Sequence, residues 1–235
     1  MTRIPEVSVS SDTSTSIEER TSVAAQMREY MGHLVDRKFE HPSDDLLSML
    51  IREHSDDLTK AELTGIGQLL LVAGHETTAN MLGTGTLLLL ENPDQLALMR
   101  DNPDAVNNGV EELLRYLTVV HSGLPRSVTT EITIGGQVLP PGEQIFCSLP
   151  MANRDPALLA DGSRLDITRE PAPHVAFGHG IHHCLGAPLA RMEMRIGFPT
   201  LLRRFPALRL AIPSDEVEFR RFSTVHGVRS LPVTW

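Results

Sequence analysis

The sequence predicts a mainly α chain with a small β region. Three observations carry that class. Apolar residues recur at helical spacing over most of the first 116 positions. Helix-start signals punctuate the same stretch, pairing Thr with a later Glu or Asn with a following Pro. Only after Tyr116 do short apolar runs broken by glycine and proline take over.

The elements follow in order. "VSVSSDTSTS" (7–16) is Ser/Thr-rich and offers little to bury. Residues 1–19 are therefore expected to form a mobile tail ahead of one domain over 20–235. From Val23, the residues Met27, Tyr30, Met31 and Leu34 continue a helical stripe, and Pro42 breaks it. Ser43 is placed to cap a second helix through "DDLLSMLIRE". Thr59 and Glu62 form a capping box that opens a long helix reaching about Leu90. Residues 63–90 are nearly all apolar or small and long enough to span a bilayer. His75 and Glu76 sit in their middle, where charge is costly in hydrocarbon, so a helix buried in a soluble core is expected.

Asn92-Pro93 and Asn102-Pro103 each pair an N-cap residue with Pro at the first helical position. The second of these helices should run through "VEELLRY". "EITIGGQVL" (131–139) reads as a hairpin turning on Gly-Gly, and "QIFCSL" (144–149) as another short strand. Residues 152–173 are rich in turn formers and should be irregular but ordered. "GAPLARMEMRIGFPTLLRRF" then reads as a helix, and short strands close the chain through "LPVTW". No internal repeat or low-complexity linker divides the chain.

Composition removes several function classes. A net charge of −9 argues against broad nucleic-acid binding, which needs clustered Lys and Arg. No basic segment followed by an apolar one opens the chain, so no secretory signal is readable. Cys147 and Cys184 are the only cysteines and make no disulfide framework, which fits a reducing, cytoplasmic setting.

The chemistry concentrates in "FGHGIHHCLG" (177–186), with three glycines, three histidines and one of the two cysteines in ten positions. Cys184 stands immediately before a helix with Pro188 in its first turn. A helix N-terminus offers unpaired N–H groups and a positive dipole end, both of which favour a thiolate. Gly178, Gly180 and Gly186 would let backbone approach something large and flat. Taken residue by residue, other readings stay open. Cys184 could be an ordinary buried cysteine. It could join His179, His182 and His183 around zinc, although no second ligand pair is present. It could be a nucleophile activated by histidine, although no oxyanion-hole context accompanies it.

The long helix carries "AGHETT" (73–78). Glu76 and Thr77 put a carboxylate beside a hydroxyl in an apolar helix, where an isolated charge is costly. Thr77 could simply bond the carbonyl one turn back. With Ala73 and Gly74 leaving space, the group also suits proton delivery to a small bound molecule. Glu112 and Arg115 stand three apart on one helix, and taken alone such a pair contributes only about 0.2–0.5 kcal/mol.

The loop matches F-G-x-G-x-H-x-C-x-G at every fixed position and continues "CLGAPLAR". With "AGHET" and Glu112-x-x-Arg115 upstream in that order, the chain resembles a bacterial, actinobacterial-type cytochrome P450 over about residues 20–235. "PPGEQIFCSLPMANRDP" and "HGVRSLPVTW" resemble the family too.

The resemblance implies the C-terminal part of the cytochrome P450 fold and a haem b cofactor. It implies that Cys184 is the axial thiolate on the haem iron, with Phe177 shielding that side. Gly178, Gly180 and Gly186 would let the loop pass close to the porphyrin. His182 and Arg126 would bind the haem propionates. Thr77 and Glu76 would be the alcohol and acid that route protons to bound dioxygen, with Gly74 near the dioxygen site. Glu112 and Arg115 would form a structural pair with Arg164 as third partner. Leu70, Leu71, Ala73, Thr78 and residues 117–124 would line the substrate pocket. The implied activity is a monooxygenase that inserts one oxygen atom of O2 into a small hydrophobic organic substrate. Electrons would come indirectly from NAD(P)H through a reductase and a ferredoxin or flavodoxin. Neither a nucleic acid nor a membrane is implied as partner.

Three departures from the family pattern qualify that expectation. "DGSRLD" lacks the usual Pro before Arg164, and Gly109 stands where Ala is common. In a helix interior that glycine costs up to about 1 kcal/mol. The large portion that precedes the Val23 helix in full family members has no counterpart here. The alternative expectation is therefore a truncated, non-catalytic haem-binding remnant or interaction module.

Overall fold

The computed structural model describes residues 16–121, 123–221 and 223–235. They fall into two compact units that divide between Glu76 and Thr77, within the long helix.

In the first unit, α1 spans Ile17–Glu40 and starts six positions before Val23. Ser16 and Glu19 form a capping box, with the Glu19 N–H donating to Ser16 Oγ at 3.2 Å and the Ser16 N–H to Glu19 Oε2 at 3.1 Å. Residues 16–19, assigned to the tail on sequence, are thus the capped start of a helix, while residues 1–15 lie outside the described residues. Helix α2 spans Leu46–His54, and its cap is Asp45 rather than Ser43. Asp45 sits directly before the helix in extended conformation and accepts from the Ser48 N–H at 2.8 Å. Ser43 instead donates its hydroxyl to Asp45 at 2.6 Å. Lys38, and then Ser43, hold the Asp45 carboxyl well below the ordinary range. Val35, Ile51 and Leu63 form this unit's small core. The Thr59–Glu62 box opens α3 (Lys60–Glu91) as expected, with the Thr59 N–H donating to Glu62 at 2.8 Å.

The burial expected along the whole of α3 holds for only part of it. Residues 80–90 are buried or half-buried, whereas 65–79 alternate between half-buried and exposed, with Leu69 and Leu71 on the surface. No helix among the described residues is long and apolar enough to cross a membrane.

In the second unit, α3 is followed by α4 (Pro93–Asp101) and α5 (Ala105–Leu117). Pro93 takes the first helical position, but the Asn92 amide reaches back to the Leu88 carbonyl at 2.8 Å instead of capping α4. Pro103 precedes α5 rather than opening it. Asn102 Oδ1 accepts from the Asp104 N–H at 3.1 Å and closes a turn, so the helix begins two residues later. The core is built from Met81, Leu89, Met99, Leu113, Phe198 and Leu202. The helix Ala187–Arg204 packs against both α4 and α5.

The β region is three antiparallel two-stranded pairs among the described residues. Strands β2 (Ile132–Ile134) and β3 (Gln137–Leu139) form the expected hairpin. Gly135 and Gly136 turn it with φ of 57° and 82°, the double left-handed geometry of a tight hairpin loop. Strand β1 (Leu124–Ser127) pairs with β4 (Gln144–Cys147). Pro125 hid β1 at the sequence level, since proline fits only edge strands. Helix α6 (Leu149–Ala152) leads into 153–173, which is ordered without helix or strand. Strands β5 (Arg209–Leu210) and β6 (Val233–Thr234) close the chain.

Candidate functional site

Short backbone bonds hold the loop "FGHGIHHCLG" at both ends. The Gly178 N–H donates to the Val175 carbonyl at 2.8 Å, and the Cys184 N–H to the Phe177 carbonyl at 2.8 Å. Between them lies a single 3₁₀ turn, Gly180–His182. Gly178 adopts φ of 75°, where an added Cβ would also meet the His182 carbonyl oxygen at 3.3 Å. Cys184 is exposed and free rather than buried. Helix α7 (Ala187–Arg204) starts three residues later from Gly186, which supplies no side-chain cap to its first-turn N–H groups. An added Cβ at Gly186 would stand 3.9 Å from Cys184 Sγ, so glycine keeps the space beside the sulfur open.

The loop's surroundings are apolar and uncovered. Ile181 is 97% exposed, Leu185 87% and Leu189 54%. His182, His183 and Arg126 also keep their side chains on the surface. An open thiol at a helix N-terminus, beside an apolar rim and exposed imidazole groups, suits a flat, apolar, dianionic macrocycle with a sulfur-ligated iron. The residues present therefore fit haem. No group of three or more His, Cys, Asp or Glu among the described residues could hold a metal ion, which leaves the zinc reading without a ligand set there.

An ionic cluster that the sequence did not reveal lies beside the loop. Phe177 is half-buried, and the Arg191 guanidinium stands over its ring, 4.6 Å from the centroid. Arg191 Nε donates to Glu111 at 2.8 Å, its Nη2 at 2.9 Å, and His174 Nε2 lies 3.1 Å from the same carboxylate. Burial pushes the Glu111 carboxyl up. The bonds from His174 and Arg191 outweigh it and hold the carboxyl at about 2. The only signal was the doubled "EE" on α5, whose two carboxylates serve two different arginine clusters.

Glu112 belongs to the second cluster. Arg115 is 2% exposed and donates to Glu112 through Nε at 2.7 Å and Nη2 at 2.8 Å, a bidentate pair. Its Nη1 donates to the carbonyls of Asn153 at 2.8 Å and Gly162 at 2.7 Å. The third member of the cluster is Arg169, which reaches Glu112 through Nε at 3.4 Å, and not Arg164. The Arg164 side chain turns outward to Asp161 at 2.7 Å and Asp166 at 2.8 Å. Arg164 meets the pair only through its carbonyl, which accepts from Arg115 Nη2 at 3.4 Å and Arg169 Nη2 at 3.1 Å. Flanking carboxylates on its own strap capture the Arg164 guanidinium, a competition that sequence spacing does not reveal.

On α3, Glu76 and Thr77 are half-buried and Gly74 is exposed, with nothing within 4 Å of an added Cβ. Thr78 donates its hydroxyl to Glu193 of α7 at 3.2 Å, which ties the turn beside Thr77 to the helix that follows Cys184. Arg126 lies on β1 and donates to the neighbouring Pro125 carbonyl at 2.8 Å.

The family model for cytochrome P450 matches residues 13–219. Cytochrome P450-SU2 of Streptomyces griseolus is 48% identical over 218 residues, which cover 93% of this chain and 54% of that protein. The structure of Streptomyces peucetius CYP105P2 in complex with a biphenyl compound superposes with a TM-score of 0.87 at 46% identity, over 91% of this chain and 54% of that one. That of CYP105P1 in complex with filipin I gives 0.90 at 44%, over 94% and 56%. The chain spans about half the length of the curated relatives it matches.

Proposed function

The chain belongs to the cytochrome P450 family, and on that premise we propose that it carries the iron-ligating and proton-handling residues of a haem-thiolate monooxygenase. The observation that supports this reading best is the exposed Cys184 at the head of α7, in a glycine loop closed by its own N–H on Phe177. Haem b, when bound, supplies an iron centre that activates dioxygen, and sulfur ligation favours O–O cleavage.

The chain's own residues do the rest. Cys184 would hold the iron through Sγ, and Gly186 keeps the flank of the sulfur open. With haem seated on them, Phe177 and the apolar rim would exclude water from that side, which strengthens the field at the sulfur. His182 and Arg126 would pair with the haem propionates. The Thr77 hydroxyl would pass on a proton that Glu76 supplies. Gly74 leaves room there for a diatomic molecule. Glu112, Arg115 and Arg169 act on the fold alone.

A ferredoxin or flavodoxin with its NAD(P)H-dependent reductase supplies the electrons, in the cytoplasm. The substrate is a small hydrophobic organic molecule, a class that the biphenyl compound held by CYP105P2 supports. The test supplies the haem-loaded chain with a ferredoxin–reductase pair, NADPH, oxygen-18 gas and biphenyl. Hydroxylated biphenyl carrying one heavy oxygen atom, absent with Cys184→Ser, is expected. Haem uptake without any product would instead support a haem-binding module.

A further inference from the structure

Asn153 is 6% exposed and follows α6 directly. Its polar groups reach three separate segments. Its carbonyl accepts from Arg115 at 2.8 Å, which joins it to the Glu112 cluster. Its Nδ2 donates to Thr118 Oγ1 at 2.8 Å, at the end of α5. Thr118 has φ of 40°, the only positive φ outside glycine among the described residues, and the strained position needs such support. Its Oδ1 accepts from the Val175 N–H at 2.7 Å.

The last bond bears on the cysteine. Val175 is the first residue of the turn whose carbonyl receives the Gly178 N–H, and Phe177 within that turn receives the Cys184 N–H. A run of short bonds therefore leads from the buried Glu112–Arg115 pair through Asn153 to the backbone of Cys184. A buried amide with donor and acceptor both engaged fixes its neighbours in one arrangement, because every alternative leaves a polar atom unpaired.

We infer that Asn153 is a positioning residue for Cys184: its Oδ1 anchors Val175 and so sets the backbone of the loop that presents the thiol. The inference rests on the reading that Cys184 ligates haem iron. Asn153 touches neither the thiol nor the haem and acts through Val175 and Phe177.

The test uses the full chain and two readouts. The first is amide hydrogen exchange without haem, at Cys184 and Gly178 against core amides of α5. Asn153→Ala is expected to speed exchange at Cys184 by about tenfold beyond any change in the core, the factor that loss of one buried hydrogen bond produces. Asn153→Asp keeps an acceptor for the Val175 N–H and should restore protection. Thr118→Val removes the bond from Asn153 Nδ2 along with the hydroxyl's own bonds to the Leu114 and Arg115 carbonyls, but it leaves Oδ1 on Val175, so it should leave Cys184 in step with the core. The second readout is the share of sulfur-ligated haem in the reduced, carbon monoxide-bound chain, which should fall in Asn153→Ala and recover in Asn153→Asp. Asn153→Ser, whose hydroxyl is too short to reach Val175, takes the place of Asn153→Ala if that variant does not fold. Exchange at Cys184 that merely follows the core, or a Thr118→Val effect of equal size, would overturn the inference. A wild-type chain with no sulfur-ligated haem would instead count against the proposed function, and the exchange result would still decide the role of Asn153 in the loop.

Discussion

The backbone N–H of Cys184 donates to the carbonyl of Phe177 at 2.8 Å. That bond ties the thiol to a residue whose ring lies under the Arg191 guanidinium, and Arg191 is in turn paired with Glu111. The loop is thus braced from two sides, by an ionic cluster at Phe177 and by a neutral amide at Val175.

The ionic brace depends on pH. Glu111 titrates at about 2 in the folded chain against an ordinary 4.5. Its folded value is depressed, so its contribution is fully present above the unfolded value and is lost as the pH falls toward about 2. Glu111→Gln should lower stability at neutral pH and flatten its dependence between pH 4.5 and 2. Denaturant unfolding across that range checks this. A slope equal to wild type would contradict it.

The two arginines of the strap should separate cleanly. Arg169 is largely buried and spans Glu112 and the carbonyls of Asp161 and Arg164. Arg169→Ala should cost about 1–3 kcal/mol, since it strips a charged donor from the buried Glu112 carboxylate. The Arg164 ion pairs are solvated, so Arg164→Ala should leave the unfolding midpoint close to wild type. Thermal unfolding of both variants decides. The reverse order would return Arg164 to the role the sequence suggested.

Gly85 faces Phe198, which is completely buried on α7. An added Cβ would fall 2.5 Å from Phe198 Cζ and 2.9 Å from Cε1. Gly85→Ala gains about 1 kcal/mol of helix propensity but must displace a rigid ring, and overpacking costs about 1–3 kcal/mol. A net loss of stability is expected, with partial rescue by Phe198→Leu. A stabilised Gly85→Ala chain would show that the two helices can part at little cost.

Thr77→Ala removes the hydroxyl proposed to hand on a proton. In the haem-loaded chain with a donor pair and biphenyl, NADPH consumption should continue while product falls and hydrogen peroxide rises. Product per NADPH equal to wild type would remove the proton role from Thr77.

Much of this was legible in sequence where the signal is local. The Thr59–Glu62 box, the Gly135-Gly136 turn and the start of α7 depend on neighbours a few residues apart, and each appears where expected. Competition between close candidates was less legible. Asp45 outbids Ser43 for the α2 cap because it stands directly before the helix, and the Ser16–Glu19 box starts α1 before its apolar stripe begins. Partners distant in sequence were hardest to read. Arg169 and Glu112 are 57 residues apart, and Arg191 and Glu111 are 80 apart. No spacing rule selects Arg169 over Arg164, because only the folded strap determines which guanidinium turns inward.

Thiolate ligation by Cys184 underlies the proposed activity, and one spectrum tests it. The chain is loaded with haem, reduced and exposed to carbon monoxide, beside Cys184→Ser. A strongly red-shifted Soret band in the wild-type chain, lost in Cys184→Ser, is the predicted result. A band at the position of neutral-thiol or histidine ligation, or no haem uptake at all, would contradict thiolate ligation by Cys184.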